Sequence, residues 1–251
     1  MRTIGSATYL RDRARRRLAR GLWLLIAGAA VVVAGFVSAQ GPGARSLAWL
    51  GGLPVFFGLA SVLVGALQLI AAARDREAVV GEVPVVAQLK ARFGDEYVYL
   101  YRVTIPGRGA EADGILLGPH GALVLAIRAA HGQLVVRGDD WFTQEASGER
   151  RLWARSPTWQ VVRPVRALER LGQEEGLGRV PVQGAVVLAQ ARLLEAEQPA
   201  VAVVPADRIA TYVQYLRPET AVAPDLVERL VEALAPHAGG AEQGREQGRR
   251  K

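Results

Sequence analysis

The feature that most constrains the fold of this chain is a pair of long uncharged segments near its N-terminus. Residues 21–39 run for 19 positions without a charged side chain, and residues 47–73 run for 27. At about 1.5 Å of rise per residue, each segment as a helix can cross the hydrocarbon core of a bilayer, which is about 30 Å thick. A soluble core helix of this kind would need apolar partners on every side. We therefore predict a transmembrane hairpin over residues 21–73.

The charge of the chain is concentrated around this hairpin. The net charge is +7, yet residues 1–20 hold seven Arg and one Asp, and residues 21–237 together carry about −1. This basic lead, with Arg45 in the link and Arg74 and Arg76 after the second segment, predicts cytoplasmic placement of both termini and the large domain at the inner (plasma) membrane, by the positive-inside rule. The lead also suits contact with an anionic lipid bilayer. The bulk charge of the remainder does not indicate a nucleic-acid-binding surface.

Two alternatives remain open for the apolar segments. Val37-Ser38-Ala39 resembles a signal-peptide cleavage site, and cleavage there would leave the second segment as the anchor with the large domain still cytoplasmic. The spacing of Gly58 and Gly65 fits either close helix packing or simple filling of a membrane span with small residues.

The periodicity of residues 78–236 predicts an α/β domain with a mixed central sheet. Alternation predicts strands, and spacings of three or four predict helices. The predicted strands are 96–104, 111–117, 122–128, 133–137, 141–144, 182–188 and 200–204, and the predicted helices are 79–93, 157–171, 206–216 and 224–234. Residues 74–81 are expected to be a charged exit from the membrane, and residues 237–251 a disordered tail.

Two prolines limit these helices. Pro84 is expected only in the first turn of a helix, because an interior proline removes a backbone hydrogen bond. Pro164 predicts either a kink in its helix or a late start to it.

Three local patterns in this domain carry polar residues that are candidates for a functional site. Gly81-Glu82 precedes the first predicted helix pattern. Glu111 and Asp113 share a strand, the turn Gly-Pro-His-Gly follows at 118–121, and the next strand ends in Ala126-Ile127-Arg128. Residues 156–160 read Ser-Pro-Thr-Trp-Gln. Over residues 78–205 these patterns resemble the nuclease-related domain (NERD) family, a branch of the PD-(D/E)xK, restriction-endonuclease-like fold.

The resemblance implies a particular site. In that family a strand carries Glu-x-Asp, a Gly-Pro-x-Gly turn follows, the next strand ends in Glu-x-Lys, and Asn-Pro-x-x-Gln begins a helix. The corresponding catalytic positions in this chain are Asp113, Glu111, Arg128 and Gln160. Glu82 and Asp113 would be the metal ligands, for Mg²⁺, if the domain is active; otherwise no cofactor is expected.

The chain differs from the family's Glu-x-Lys pattern at positions 126 and 128, and the chemistry of the family explains why this difference matters. Hydrolysis of a phosphodiester with Mg²⁺ requires carboxylates that converge on the cation. Strand alternation places residues 111 and 113 on one face, and residues 126 and 128 on one face of the neighbouring strand. Ala126 cannot ligate a metal, and the Arg128 guanidinium stays protonated and does not replace a lysine. Gly114 also stands where the family often has a histidine, and Ser156 replaces the asparagine.

Structural roles are the alternative for each of these residues. Asp113 and Arg128 on neighbouring strands suit a partly buried ion pair that fixes the register. Glu82 suits the first turn of a helix, where a negative charge is favourable. Trp141, Trp153 and Trp159 are expected to pack in the domain, and His131 to lie in a loop.

The sequence therefore predicts a membrane-anchored NERD-like domain that has lost catalysis and acts as a binding or assembly module at the cytoplasmic face of a bacterial membrane. The alternative is a Mg²⁺-dependent nuclease acting on DNA or RNA, in which Glu82 or Asp139 supplies the lost carboxylate. A third possibility is a structural membrane protein whose soluble domain supports an assembly of the helices. The expected partners are the lipid bilayer and either nucleic acid or other membrane or cytoplasmic proteins.

Overall fold

The computed structural model describes residues 1–5, 7–39, 48–177, 180–216 and 221–239. These residues form two compact units, one of Thr8–Glu77 and one of Met1–Ala7 together with the chain from Ala78 onward. The link at residues 40–46 and the predicted tail beyond residue 239 lie outside the described residues. Each unit is described in turn.

The first unit contains the apolar parts of two long helices. Helix α1 is Ala7–Ala39, and helix α2 is Ala48–Arg92. Within them, Ala14–Val37 and Val55–Ala73 are long and apolar enough to cross a membrane, and only 17% of each window is buried. The helices expose a large apolar surface that includes Leu22, Trp23, Val33, Phe36, Val37, Phe56, Phe57, Leu63 and Leu67, each at least half exposed. Such low burial separates these helices from the core helices of a soluble domain.

Glycines form the contact between the two helices. A Cβ added to Gly28 would lie 2.7 Å from the carbonyl oxygen of Gly58, and one added to Gly65 would lie 2.8 Å from that of Gly21. Of the two alternatives left open for Gly58 and Gly65, the structure therefore has close helix packing. Small residues allow this approach because any side chain would hold the backbones apart.

Helix α2 is longer than the sequence predicts. It continues without interruption from the second apolar segment through residues 74–81 to Arg92, so the prediction of a separate charged exit is wrong. The restriction of Pro84 to a first turn is also wrong, since Pro84 lies deep inside α2. The helix persists there because the next residues, Val85 and Val86, are buried in the domain core, and this packing offsets the missing hydrogen bond.

The second unit is built on a six-stranded mixed sheet. Its strands in chain order are β1 (Arg2–Ile4), β2 (Val98–Ile105), β3 (Ala110–Gly118), β4 (Gly121–Arg128), β8 (Val182–Leu188) and β10 (Ala202–Pro205), which is also their order in the sheet. β2, β3 and β4 are antiparallel neighbours, whereas β1 pairs parallel to β2 and β4, β8 and β10 run parallel. The predicted central hairpin with its turn at 118–121 is confirmed. The strand β1 was not predicted.

Helices cover both faces of this sheet. Val85, Val86, Leu89 and Phe93 pack on one face together with residues from α4 (Ile209–Tyr215). The other face packs against α3 (Thr158–Glu174) and α5 (Pro224–Leu234). The result is the α/β architecture with a mixed sheet that the sequence predicts. Pro164 lies inside α3 and is buried, so the prediction of a late helix start is wrong.

A smaller sheet packs beside the first. It contains β7 (Arg150–Leu152), β6 (Asp140–Gln144), β5 (Gln133–Arg137) and β9 (Arg192–Glu197), in that order. The strands β7 and β9 were not predicted. A cluster around Trp141 and Val161 joins this sheet to α3 and to the ends of β4 and β8.

The last described residues also differ from the prediction. Ala235–His237 form a 3₁₀ turn, Ala238 is buried, and the backbone N–H of Gly239 donates to the carbonyl oxygen of Tyr101 at 2.7 Å. Residues 237–239 are thus part of the domain rather than of a tail.

Candidate functional site

The candidate site lies where β3 and β4 separate. Their backbone pairing ends at Gly114 and Leu125, although β3 continues to pair with β2 on its other side as far as Ala110. Asp113 is the first β3 residue beyond the end of that pairing. Its Oδ2 accepts a hydrogen bond from the backbone N–H of Ile127 at 3.2 Å and from Nη1 of Arg128 at 2.8 Å. The carboxylate therefore replaces the acceptor that the strand backbone no longer supplies.

Arg128 closes this arrangement from the end of β4. Its Nη1 also donates to the carbonyl oxygen of Ile127 at 2.7 Å, so the guanidinium is held by two acceptors. The Arg128 side chain is 21% exposed and that of Asp113 is 39% exposed. The ion pair is thus partly screened by solvent, while its backbone hydrogen bonds fix its position.

Glu82 reaches the same region from α2. The helix can approach the sheet because residue 81 is a glycine: a Cβ there would lie 3.1 Å from Cγ2 of Ile127. Glu82 is only 3% exposed, and the hydroxyl of Tyr99 donates to its Oε1 at 3.1 Å. Burial, the largest effect, and the negative charge of Asp113 together raise the pKa of Glu82 to about 7, against the opposing effects of Tyr99 and Arg102. Glu82 is therefore a buried carboxyl rather than an exposed charge at a helix start.

Two tyrosines that the sequence did not single out complete the surroundings of Glu82. Tyr99 and Tyr101 alternate along β2, and their ring centroids lie 4.8 Å apart. Burial holds the pKa of Tyr99 well above its usual value, so its hydroxyl remains a donor to Glu82. A Cβ on Gly114 would overlap this hydroxyl, which explains why glycine occupies the position. One sequence signal could have identified these tyrosines: they alternate along β2, the strand that pairs with the strand of Asp113.

The backbone is also unusual beside these residues. Arg102 has a φ of 40°, in the left-handed region that non-glycine residues rarely adopt. It falls between the pairs Tyr101–Gly114 and Val103–Ala112, opposite Asp113. Residues held in this region often lie next to functional sites.

Position 126 lies in apolar surroundings. Ala126 is 1% exposed and belongs to the cluster that contains Trp141, Val161 and Val186. A carboxylate at this position would be buried among these side chains without a described polar partner, at a substantial cost. A small apolar side chain at position 126 therefore suits the apolar side chains around it.

The remaining predicted residues lie elsewhere or at the margin of the site. Glu111 is exposed on β3 and pairs across the strand with Thr104. Gln160 is exposed near the start of α3, and with Trp159 and Asp139 it lines a groove of about 670 Å³. No described hydrogen bond or ion pair joins Gln160 or Asp139 to Asp113 or Glu82.

The tryptophans divide between packing and exposure. Trp141 is buried and donates from Nε1 to the Thr158 hydroxyl at 3.1 Å, and Trp153 donates to the Thr143 hydroxyl at 2.7 Å. Trp159 is 52% exposed, in contrast to the packing expected for it. His131 lies in an exposed loop.

The residues at the site do not fit a magnesium ion. Within the described ranges, no group of three or more His, Asp or Glu side chains is arranged to hold a metal ion. The one carboxylate oxygen that faces β4 is taken by a guanidinium, and position 126 offers no ligand. Mg²⁺ requires near-octahedral oxygen ligands at about 2.0–2.1 Å, which Glu82 and an ion-paired Asp113 do not supply.

Comparison with known proteins supports the resemblance seen in the sequence. Residues 78–189 match the model of the nuclease-related domain family. The match begins in the C-terminal part of α2 and ends just after β8, so it includes Glu82, Asp113, Arg128 and Gln160. Neither the search of curated proteins nor the search of solved structures gave a match.

Proposed function

Because residues 78–189 form a nuclease-related domain, we propose that this chain is a membrane-anchored, catalytically inactive nuclease-fold protein. Its domain acts as a binding or assembly module at the cytoplasmic face of the plasma membrane. The observation that carries this proposal is the ion pair of Asp113 and Arg128, which occupies the carboxylate that a metal-dependent nuclease needs free.

Three features of the site support the loss of catalysis. Asp113 Oδ2 already accepts two hydrogen bonds, one from a permanently charged guanidinium. Ala126 is enclosed by apolar side chains, so no second carboxylate reaches Asp113 from β4. Glu82 is bonded to Tyr99 and carries a raised pKa, which weakens it as a ligand near neutral pH. Without converging carboxylates the domain lacks the means to activate water at a phosphodiester.

A cleavage assay tests this part of the proposal. The full chain in detergent or nanodiscs is incubated with labelled single-stranded and double-stranded DNA and RNA, with Mg²⁺ or Mn²⁺. We expect no cleavage beyond that of the Asp113→Ala variant prepared in parallel. Cleavage by the wild type that Asp113→Ala abolishes would support the alternative, a metal-dependent nuclease, and overturn the proposal.

The alternative has one observation in its favour. Asp113 and Arg128 are in direct contact, and the charge of Asp113 contributes to the raised pKa of Glu82, as would be expected of residues in one site. Arg128 could hold a phosphate through its guanidinium. The same assay decides between the two, since a working site requires Asp113 and an inactive one does not.

The low burial of the two apolar helices supports membrane anchoring. Their exposed faces carry large aliphatic and aromatic side chains over both candidate spans, as a lipid-facing surface requires. The arginines of residues 11–20 precede the uncharged segment that begins at Gly21 and favour a cytoplasmic N-terminus.

The pairing of β1 supports a hairpin with both ends on one side. β1 precedes α1, β2 follows α2, and the two strands pair in register from Arg2–Val98 to Ile4–Leu100. Residues joined in one sheet cannot lie on opposite sides of a bilayer, so an even number of crossings must separate them. Cleavage after Ala39 would remove this strand from the domain, which argues against a signal peptide.

Binding measurements test the module itself. At low salt, failure of the wild-type chain to bind DNA or RNA would favour protein partners, whereas salt-sensitive binding would favour nucleic acid. If the isolated helices formed the same membrane assembly as the full chain, and deletion of the domain changed nothing, the domain would only be a support and the proposed binding role would be wrong.

A further inference from the structure

Where β3 and β4 separate, two oxygen atoms of the domain converge on one positive charge. The Ile127 carbonyl oxygen lies 2.7 Å from Nη1 of Arg128. Arg128 Nη1 lies 2.8 Å from Asp113 Oδ2, a distance typical of a charge-assisted hydrogen bond. A carboxylate and a carbonyl oxygen both attract a positive charge, so a cation at this place lowers the free energy of the site.

The position of the guanidinium explains why a mobile cation is not required. It holds Asp113 through Nη1 and is itself held by the carbonyl oxygen of Ile127 at 2.7 Å. Because Arg128 is itself the last residue of β4, its charge cannot leave the site, and the two hydrogen bonds fix its position. A divalent ion on Asp113 Oδ2 would have to occupy the space that Nη1 fills.

We infer that the Arg128 guanidinium is a built-in replacement for a divalent cation, and that Asp113 Oδ2 and the Ile127 carbonyl oxygen bind such a cation only when Arg128 is replaced by a neutral side chain. This deepens the proposed loss of catalysis, on which it rests, by naming the residue that occupies the site and the class of ligand that it excludes.

Solvent access makes the exchange possible. The side chain of Asp113 is 39% exposed, so a hydrated ion can reach its carboxylate from the surface. Replacing Arg128 with a neutral side chain leaves the Asp113 carboxylate and the Ile127 carbonyl oxygen, with open positions for water. Mg²⁺ and Mn²⁺ often bind in this way, with one or two carboxylates and several waters.

Manganese is a suitable probe because the free hydrated ion gives an electron paramagnetic resonance signal that falls on binding. The full chain in detergent is titrated with MnCl₂ as wild type, Arg128→Gln and Arg128→Met, without nucleic acid. Gln keeps a donor for Asp113, and Met keeps most of the side-chain volume. We expect at least tenfold tighter Mn²⁺ binding to both variants than to the wild type, with a Mn²⁺-dependent rise in Tm that the wild type lacks.

The control adds Asp113→Asn to Arg128→Gln and should abolish the gained binding. If a variant is unfolded without metal, recovery of folded circular dichroism on adding Mn²⁺ supports the inference. Three results would overturn it: Asp113-dependent Mn²⁺ binding by the wild type, folded variants that bind no better than the wild type, or variants that Mn²⁺ cannot refold.

These results are distinguishable from those that bear on the proposed function. Wild-type cleavage that depends on Asp113 would remove the proposed inactivity. A catalytically silent wild type whose variants gain no Mn²⁺ affinity would leave that proposal standing and remove only the role of Arg128 as a cation.

Discussion

Gly114 and Tyr99 occupy complementary space beside the candidate site. The Tyr99 hydroxyl lies where a Cβ at position 114 would stand, and the same hydroxyl satisfies the buried carboxyl of Glu82. A histidine at this position, as the family often has, would displace Tyr99. The glycine and the tyrosine therefore have to be considered as one arrangement.

This complementarity predicts a non-additive effect on stability. Gly114→Ala should lower the free energy of unfolding by about 1–3 kcal/mol, because the added methyl group overlaps the Tyr99 hydroxyl. In a Tyr99→Phe background the hydroxyl is absent, so the same change should cost less. Chemical denaturation of the wild type, the two single variants and the double variant measures the coupling. If Gly114→Ala lowers the free energy of unfolding equally in both backgrounds, the Tyr99 hydroxyl does not limit the space at position 114.

Glu82 predicts a pH-dependent difference in stability. Its pKa of about 7 in the folded domain exceeds the usual value of 4.5, so the fold favours the protonated carboxyl. The stability that Glu82 contributes is fully present below pH 4.5 and is lost as the pH rises to about 7. Glu82→Gln keeps an acceptor for Tyr99 without ionising, so the variant should become more stable than the wild type across this interval, by about 3 kcal/mol at its end.

Denaturation of both chains at a series of pH values checks this expectation. Glu111→Gln, which removes an exposed carboxylate near the site, serves as the control. A difference between Glu82→Gln and the wild type that stays constant from pH 4.5 to pH 8 would show that Glu82 is not a buried titrating group.

At the residue scale, the sequence predicted the proximity of Asp113 and Arg128 but not the nature of their surroundings. Alternation on two hairpin strands is a local rule, and it placed both residues correctly at neighbouring strand ends. The burial of Glu82 depends on how α2 docks through Gly81, and the enclosure of Ala126 depends on Trp141 and Val161 from other elements. Such tertiary contacts leave no periodic signal.

At the scale of elements, the hairpin of α1 and α2 depends on its glycine contacts. Gly28→Leu should lower the thermal stability of the hairpin, because its side chain would meet the Gly58 carbonyl oxygen. Ala30→Leu introduces the same side chain at an exposed position of α1 and is the control. Thermal unfolding of the full chain in micelles, followed by far-ultraviolet circular dichroism, should show a lower Tm for Gly28→Leu alone. An equal fall for both variants would exclude a specific glycine contact.

The elements that the sequence missed share a physical cause. The strand β1 has three residues, too few for a periodic pattern, and its partner β2 lies far along the chain. The continuity of α2 was hidden by the charges at residues 74–77 and by Pro84, which are local signals of a helix end. Burial of the following valines outweighs those signals, because packing contributes more than the loss of one hydrogen bond.

At the scale of the whole molecule, one sheet constrains the membrane topology. The chain forms the first strand of the domain, then the two apolar helices, and then the rest of the domain. If the two helices cross a membrane, as proposed, the domain is complete only when the chain returns to the side from which it started. Together with the arginine-rich lead, this favours a hairpin whose link faces away from the cytoplasm.

Cysteine labelling in cells tests this topology. The chain contains no cysteine, so single cysteines can be introduced at Ser46 in the link and at Ser147 between β6 and β7. For a hairpin with a cytoplasmic domain, we expect a membrane-impermeant maleimide to label Ser46→Cys in intact cells and to label Ser147→Cys only after permeabilisation. Labelling of Ser147→Cys in intact cells, or protection of Ser46→Cys until permeabilisation, would contradict it.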